Sequence, residues 1–104
     1  MPKKTMEILT ETMFYVLMAL HHGPMCGVDA ADFVERRTRG RVRLGPATLY
    51  TILGKFQQEK LIRETEVEGR KRTYAITEKG RAAYREELDR LRQCVADGEE
   101  ERDD

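Results

Sequence analysis

The run Met13-Phe14-Tyr15-Val16-Leu17-Met18-Ala19-Leu20 is apolar on nearly every face of a helix, and no other stretch narrows the choice of fold so much. Thr10 suits its N-cap, Glu11 lies in the first turn where the helix dipole favours an acid, and Gly23-Pro24 stops it. These signals predict a helix from Thr10 to about His22. A surface helix shows one apolar stripe, whereas a helix apolar all round must be covered on two sides. In a chain of 104 residues, one side is expected to face its own core and the other a partner, with Phe14 and Met18 in the contact. A single domain of this size buries roughly 60–70% of the surface that its unfolded chain exposes, so a second copy would enlarge a small core.

A second, amphipathic helix is predicted to start after Gly27 and run to about Thr38 on the stripe Ala30, Ala31 and Val34, with Phe33 off it. Arg39 to Gly45 reads as a turn with a short extended piece through Val42 and Leu44. Gly45 then caps a third helix that Pro46 opens and that ends near Lys60. Its buried stripe is Leu49, Ile52, Leu53 and Phe56, leaving Ala47, Thr48, Tyr50, Thr51 and Lys55 outside. Leu61–Val67 and Arg72–Thr77 are strand-like, with Ile62, Val67, Tyr74 and Ile76 inward, and Glu68-Gly69-Arg70-Lys71 joins them as a hairpin with a basic tip. Thr77 caps a last helix whose apolar residues Tyr84, Leu88, Leu91 and Val95 step by 4, 3 and 4, a short coiled-coil seam. Two heptads are marginal alone, so this seam must pack on something, and the over-apolar first helix is the candidate.

Charge adds direction. The formal net charge is zero, yet residues 97–104 hold six acids and one base, which leaves the body at +5. Residues 36–72 carry eleven Lys or Arg against four Glu, an electrostatic footprint suited to nucleic acid. The exposed side of the third helix is polar and nearly uncharged. Such a face can read base edges, because Thr hydrogen-bonds, Ala meets a thymine methyl, and acids would be repelled by phosphate.

Other chemistries find little support. The absence of Ser removes Ser-His-Asp and nucleophile-elbow mechanisms and leaves only Cys, Thr, Lys or a carboxylate as nucleophile; no constellation supports one, so no enzymatic activity is expected. His21, His22 and Cys26 lie close together but lack zinc-ligand spacing, and no metal or other cofactor is expected. Cys26 and Cys94 are too few for a disulfide framework and are expected as reduced thiols in the cytoplasm. No window approaches the roughly 20 apolar residues of a membrane span, and no membrane partner is expected.

Three helices, a hairpin with a basic tip and a trailing helix form a mainly α fold with a small β-hairpin: a winged helix-turn-helix plus a C-terminal dimerisation helix. The expected organisation is an N-terminal arm (1–9), a DNA-binding domain (10–77), a dimerisation helix (78–96) and an acidic, disordered tail (97–104). Arg41, Arg43, Pro46, Ala47, Thr48, Tyr50, Thr51, Lys55, Gly69, Arg70, Lys71 and Arg72 are the candidate DNA contacts. Phe14, Met18, Tyr84, Leu88, Leu91 and Val95 are the candidate dimer contacts. Two alternatives stay open on residues alone: a winged helix that binds only protein, and a thiol or metal sensor using Cys26, Cys94 and the two His.

Leu9 to Leu17, Gly27-Val28-Asp29, Gly40 to Tyr50 and Tyr74-Ala75-Ile76-Thr77-Glu78-Lys79-Gly80 resemble the PadR family of transcriptional regulators over about residues 8–95. The most specific pieces are Leu44-Gly45-Pro46-Ala47-Thr48-Leu49-Tyr50 and Ile76-Thr77-Glu78-Lys79-Gly80, the latter with Ile in place of the family's Leu. The single short C-terminal helix is similar to that of the small subfamily. The resemblance implies a homodimeric repressor on a palindromic double-stranded operator, released by a small, often aromatic, molecule. It also implies that Thr48, Tyr50 and the tip Arg70–Arg72 meet DNA. Ala47 and Lys60 depart from the family pattern, Lys60 standing where Gly usually ends the third helix, and the Trp with which some members sandwich planar drugs is absent.

Overall fold

A computed structural model describes residues 9–103. The expected N-terminal arm lies outside the described residues except for Leu9, which is buried. The chain runs α1 (Glu11–His22), β1 (Met25–Cys26), α2 (Gly27–Arg37), α3 (Pro46–Gln58), β2 (Ile62–Glu68), β3 (Lys71–Ile76) and α4 (Glu78–Glu100). The fold is that of a winged helix with a three-stranded antiparallel sheet in the order β1-β3-β2.

Local chemistry sets the boundaries. The Thr10 hydroxyl accepts from the Met13 amide at 3.1 Å, so α1 begins where its cap does. Gly45 and Pro46 start α3 as the cap and first residue. Both α2 and α3 close with Schellman motifs. In α2 the Gly40 amide returns to the Glu35 carbonyl and the Arg39 amide to that of Arg36, with Arg39 at φ 54°. In α3 the Leu61 amide donates to the Phe56 carbonyl and the Lys60 amide to that of Gln57, with Lys60 at φ 63°. The Gly missing before Leu61 is thus replaced by a lysine forced into the left-handed region.

The core joins α1, α2 and α3 through Leu17, Leu20, Val34, Leu53 and Phe56, all essentially inaccessible, and meets the sheet through Ile62, Tyr74 and Ile76. Each such side chain contributes roughly 1.5–3 kcal/mol of burial. The expected stripe of α3 is buried in full, and α1 is covered from two sides by its own chain, through α2 and through α4.

Four expectations are corrected. The short extended piece expected through Val42 and Leu44 joins no sheet among the described residues; the third strand is Met25–Cys26, which pairs Met25 with Tyr74 and Cys26 with Thr73. Two residues carry no alternation by which to recognise them. Val67 is 53% exposed. A bulge at Thr65 sets it opposite Arg72, on the face of Ile62 and Tyr74, but the hairpin has by then run past the body that would cover it. Phe14, expected at a partner contact, is buried at home, stacked on Tyr84 with ring centroids 5.3 Å apart. Finally, α4 extends beyond 96 into the acidic stretch, because Glu is a good helix former and the Gln93 side chain donates to Asp97 one turn on at 2.8 Å.

Candidate nucleic-acid interface

The α3 face opposite the core stripe presents Pro46, Ala47, Thr48, Tyr50, Thr51 and Lys55, all exposed. Its first turn holds no acid, and Gly45 supplies no side-chain cap, so no side chain of the cap or first turn offsets the positive end of the helix dipole. Tyr50 is placed by Gly27, the first residue of α2. A Cβ there would lie 3.1–3.3 Å from the Tyr50 ring and hydroxyl, so glycine lets the ring lean on α2 while 49% of the residue stays exposed. This contact accounts for Gly27 in the Gly-Val-Asp segment, which spacing alone left unexplained.

The wing is a two-residue turn, Gly69-Arg70, between the paired Glu68 and Lys71. Gly69 has φ 63°, which suits the first central position of such a hairpin. Gly69, Arg70, Lys71 and Arg72 are exposed, as expected. Among the described residues Arg70 and Lys71 form no ion pair, whereas Arg72 donates to Glu64 Oε1 at 3.0 Å. The wing is therefore less basic than its tip suggests, because β2 brings Glu64, Glu66 and Glu68 into the hairpin.

The two arginines before α3 are engaged on their own chain. Arg43 approaches Glu35 at 3.8 Å. Arg41 is turned onto α1, donating from Nη1 to Glu11 Oε2 at 2.6 Å and from Nη2 to the Tyr15 hydroxyl at 2.9 Å. The Glu11 hydrogen bond holds the Arg41 guanidinium above its ordinary pKa. Residues 26 to 30 positions apart in the chain give no periodic signal, so sequence reasoning missed Glu11 and Tyr15.

Tyr84, Leu88 and Leu91 of α4 pack partly onto the core, and Met18 of α1 is likewise half-covered. From Arg92 onward every residue of α4 is exposed, Val95 at 63%. Glu87 is 5% exposed beside this seam and accepts from Arg90 Nε at 3.0 Å. It borders an open groove of about 400 Å³ between α1 and α4, lined also by Leu9, Phe14, Tyr15 and Leu91. His21 stacks on Tyr84 at 4.3 Å and His22 lies 5.3 Å from Phe33. Cys26 is buried and Cys94 exposed, and among the described residues no three His, Cys, Asp or Glu gather as metal ligands. None of the described helices is long and apolar enough to cross a membrane.

A helix-turn-helix that offers an acid-free helical face and a two-stranded wing defines a winged helix-turn-helix protein. The chain matches the Transcriptional regulator PadR-like family over residues 16–86 and belongs to that family. It is 34% identical over 71 residues to an uncharacterized 37.1 kDa protein in transposon TN4556 of Streptomyces fradiae. That match covers 68% of this chain but only 20% of the relative, so the chain spans about a fifth of its length. Among solved structures it is similar to a PadR family transcription regulator from hypervirulent Clostridium difficile R20291, with TM-score 0.72, 16% identity and coverage of 84% of this chain and 93% of that one. It is also similar to Bacillus subtilis PadR in complex with operator DNA, with TM-score 0.66, 19% identity and coverage of 76% and 47%. A third is Bordetella bronchiseptica BpsR, whose DNA binding is regulated by 6-hydroxynicotinic acid, with TM-score 0.70, 24% identity and coverage of 88% and 61%. At these identities the likeness shows the fold.

Proposed function

We propose that the protein is a homodimeric, cytoplasmic transcriptional repressor without enzymatic activity, binding a palindromic double-stranded operator and released from it by a small molecule. The observation that carries this reading is the exposed, acid-free face of α3 on the same chain as a wing whose Arg70 and Lys71 form no ion pair among the described residues. In the proposed complex α3 enters the major groove, with Ala47, Thr48, Tyr50 and Thr51 toward base edges and Lys55 toward the backbone. Pro46 and Arg43 flank the helix start, and Gly69 to Arg72 follow the phosphates or the adjacent minor groove.

The dimer is supported by α4, whose Leu88 and Leu91 are only partly covered and whose Val95 is 63% exposed. Two copies would also place two α3 helices on the two halves of a palindrome. Release by a small molecule is supported by the ligand-regulated BpsR among the structural neighbours.

Fluorescence anisotropy tests the reading with a duplex from upstream of the protein's own gene against a scrambled duplex of equal length, across a salt series. Selective binding that weakens steeply with salt is expected. Binding to neither duplex at low salt would overturn it in favour of a protein-only winged helix.

A further inference from the structure

Arg41 has the charge and exposure of a phosphate contact, but its side chain is committed elsewhere. Nη1 is 2.6 Å from Glu11 Oε2, Nη2 is 2.9 Å from the Tyr15 hydroxyl, and the guanidinium lies 5.8 Å from the Tyr15 ring centre. Glu11 and Tyr15 are one turn apart on α1, while Arg41 belongs to the loop between the two helices of the helix-turn-helix. That loop is fastened at its start as well. The Val42 amide donates to the Thr38 hydroxyl at 3.0 Å, and that hydroxyl is 2.9 Å from the Val34 carbonyl it donates to. Only Val42, Arg43, Leu44 and Gly45 separate Arg41 from the first residue of α3. The orientation of the recognition helix is therefore tied, through a short segment, to the first turn of α1.

We infer that Arg41 is a positioning residue: the Glu11–Arg41–Tyr15 clamp fixes the loop that delivers α3 to DNA, and Arg41 itself makes no phosphate contact. The inference rests on the DNA-binding reading above and deepens it by making Glu11, an acid on another helix, a determinant of operator affinity. Charge supports this assignment, since the Glu11 carboxylate neutralises the guanidinium and leaves the pair little net attraction for phosphate. Exposed ion pairs add little to stability, so the clamp's effect belongs to binding rather than to the melting temperature.

The test is a charge swap read by anisotropy on the upstream and scrambled duplexes, with melting temperatures measured in parallel. Glu11→Gln, Tyr15→Phe and Arg41→Glu are each expected to weaken binding to the upstream duplex by about two- to fivefold, the worth of an exposed ion pair. Glu11→Arg combined with Arg41→Glu should restore it, and Glu11→Gln should keep the wild-type salt slope. If Arg41 instead met phosphate, Glu11→Gln would bind more tightly and the swapped protein would stay weak, because a carboxylate at position 41 would repel the backbone. Either result overturns the clamp while leaving the DNA reading standing. Should the swapped protein fail to fold, the sign of the Glu11→Gln effect still decides. A wild-type chain that binds neither duplex overturns the DNA reading, and the clamp falls with it.

Discussion

Gly80, in the first turn of α4, lies against the backbone of Leu61 so closely that a Cβ would penetrate the Leu61 carbonyl oxygen and stand 2.7 Å from Cγ1 of Ile76. The same carbonyl accepts from the Thr77 amide at 2.9 Å, and the Thr77 hydroxyl sits 3.0 Å from it while capping the Gly80 amide. The Ile-Thr-x-x-Gly segment is therefore a joint that locks the start of α4 onto the point where α3 gives way to β2. A clash with backbone cannot be relieved by a rotamer change, so Gly80→Ala should lose roughly 3 kcal/mol, the upper end of ordinary overpacking. Urea unfolding measures this, and a wild-type midpoint in the variant would contradict the geometry.

Lys60 offers the opposite case. It holds φ 63° at the end of α3, a conformation that disfavours any residue with a Cβ, while its amide completes the Schellman motif. Lys60→Gly removes that strain but adds freedom to the unfolded chain, and the balance should be a gain of about 1 kcal/mol. A denaturation midpoint shifted upward at constant slope is the expected result; a downward shift would mean that the lysine stem is packing where it lies exposed.

The elements that rest on a local rule were legible in the sequence. The Thr10 and Thr77 caps, the Pro46 start and the stripe from Leu49 to Phe56 each follow from residues within one or two turns. What escaped was made by distant pairs. Gly27 beneath Tyr50, Arg41 on Glu11, and β1 added to the far edge of the wing sheet join positions that only the tertiary fold brings together. The bulge at Thr65 shows a second limit. It changes the parity of β2, and exposure then depends on how far the hairpin overhangs the body, which no alternation of side chains encodes.

Tyr74 links stability to pH. Burial, and next the Glu64 carboxylate, raise its phenol above the ordinary 10.0. A folded-state value above the unfolded one means a contribution fully present below the unfolded pKa and lost as pH climbs through the folded one. Relative to Tyr74→Phe, the wild type should hold a constant difference in unfolding free energy at neutral pH and fall behind above pH 10. Parallel denaturation series on the two proteins measure this, and curves that stay parallel into strong alkali would show that Tyr74 ionises without cost to the fold.

In the proposed dimer, Val95 is the residue that would separate dimerisation from folding. Leu88 and Leu91 help cover the chain's own core, so charging them disturbs both, but Val95 is 63% exposed, beyond the part of α4 that packs on the body. Val95→Asp should therefore leave the helical signal and melting of the dilute protein nearly unchanged and shift the monomer–dimer equilibrium toward monomer. Light scattering across a concentration series reads this directly. A variant as dimeric as the wild type would move the partner contact away from the end of α4.

The wing and α3 should fail in different ways when altered. Arg70 and Lys71 form no ion pair among the described residues, so each is available for a phosphate, and Arg70→Ala or Lys71→Ala should lower the salt slope by about 1 while weakening all sequences alike. Arg72 must first leave Glu64, so Arg72→Ala should change binding less than either. Thr48 stands on the exposed face of α3, and Thr48→Ala should instead leave the slope intact and narrow the gap between operator and scrambled duplex, by roughly 1 kcal/mol or more if the hydroxyl reads a base edge. Anisotropy titrations at several salt concentrations resolve both quantities in one experiment. If Thr48→Ala altered the slope and the wing variants altered selectivity, base reading would belong to the wing and α3 would lie along the backbone.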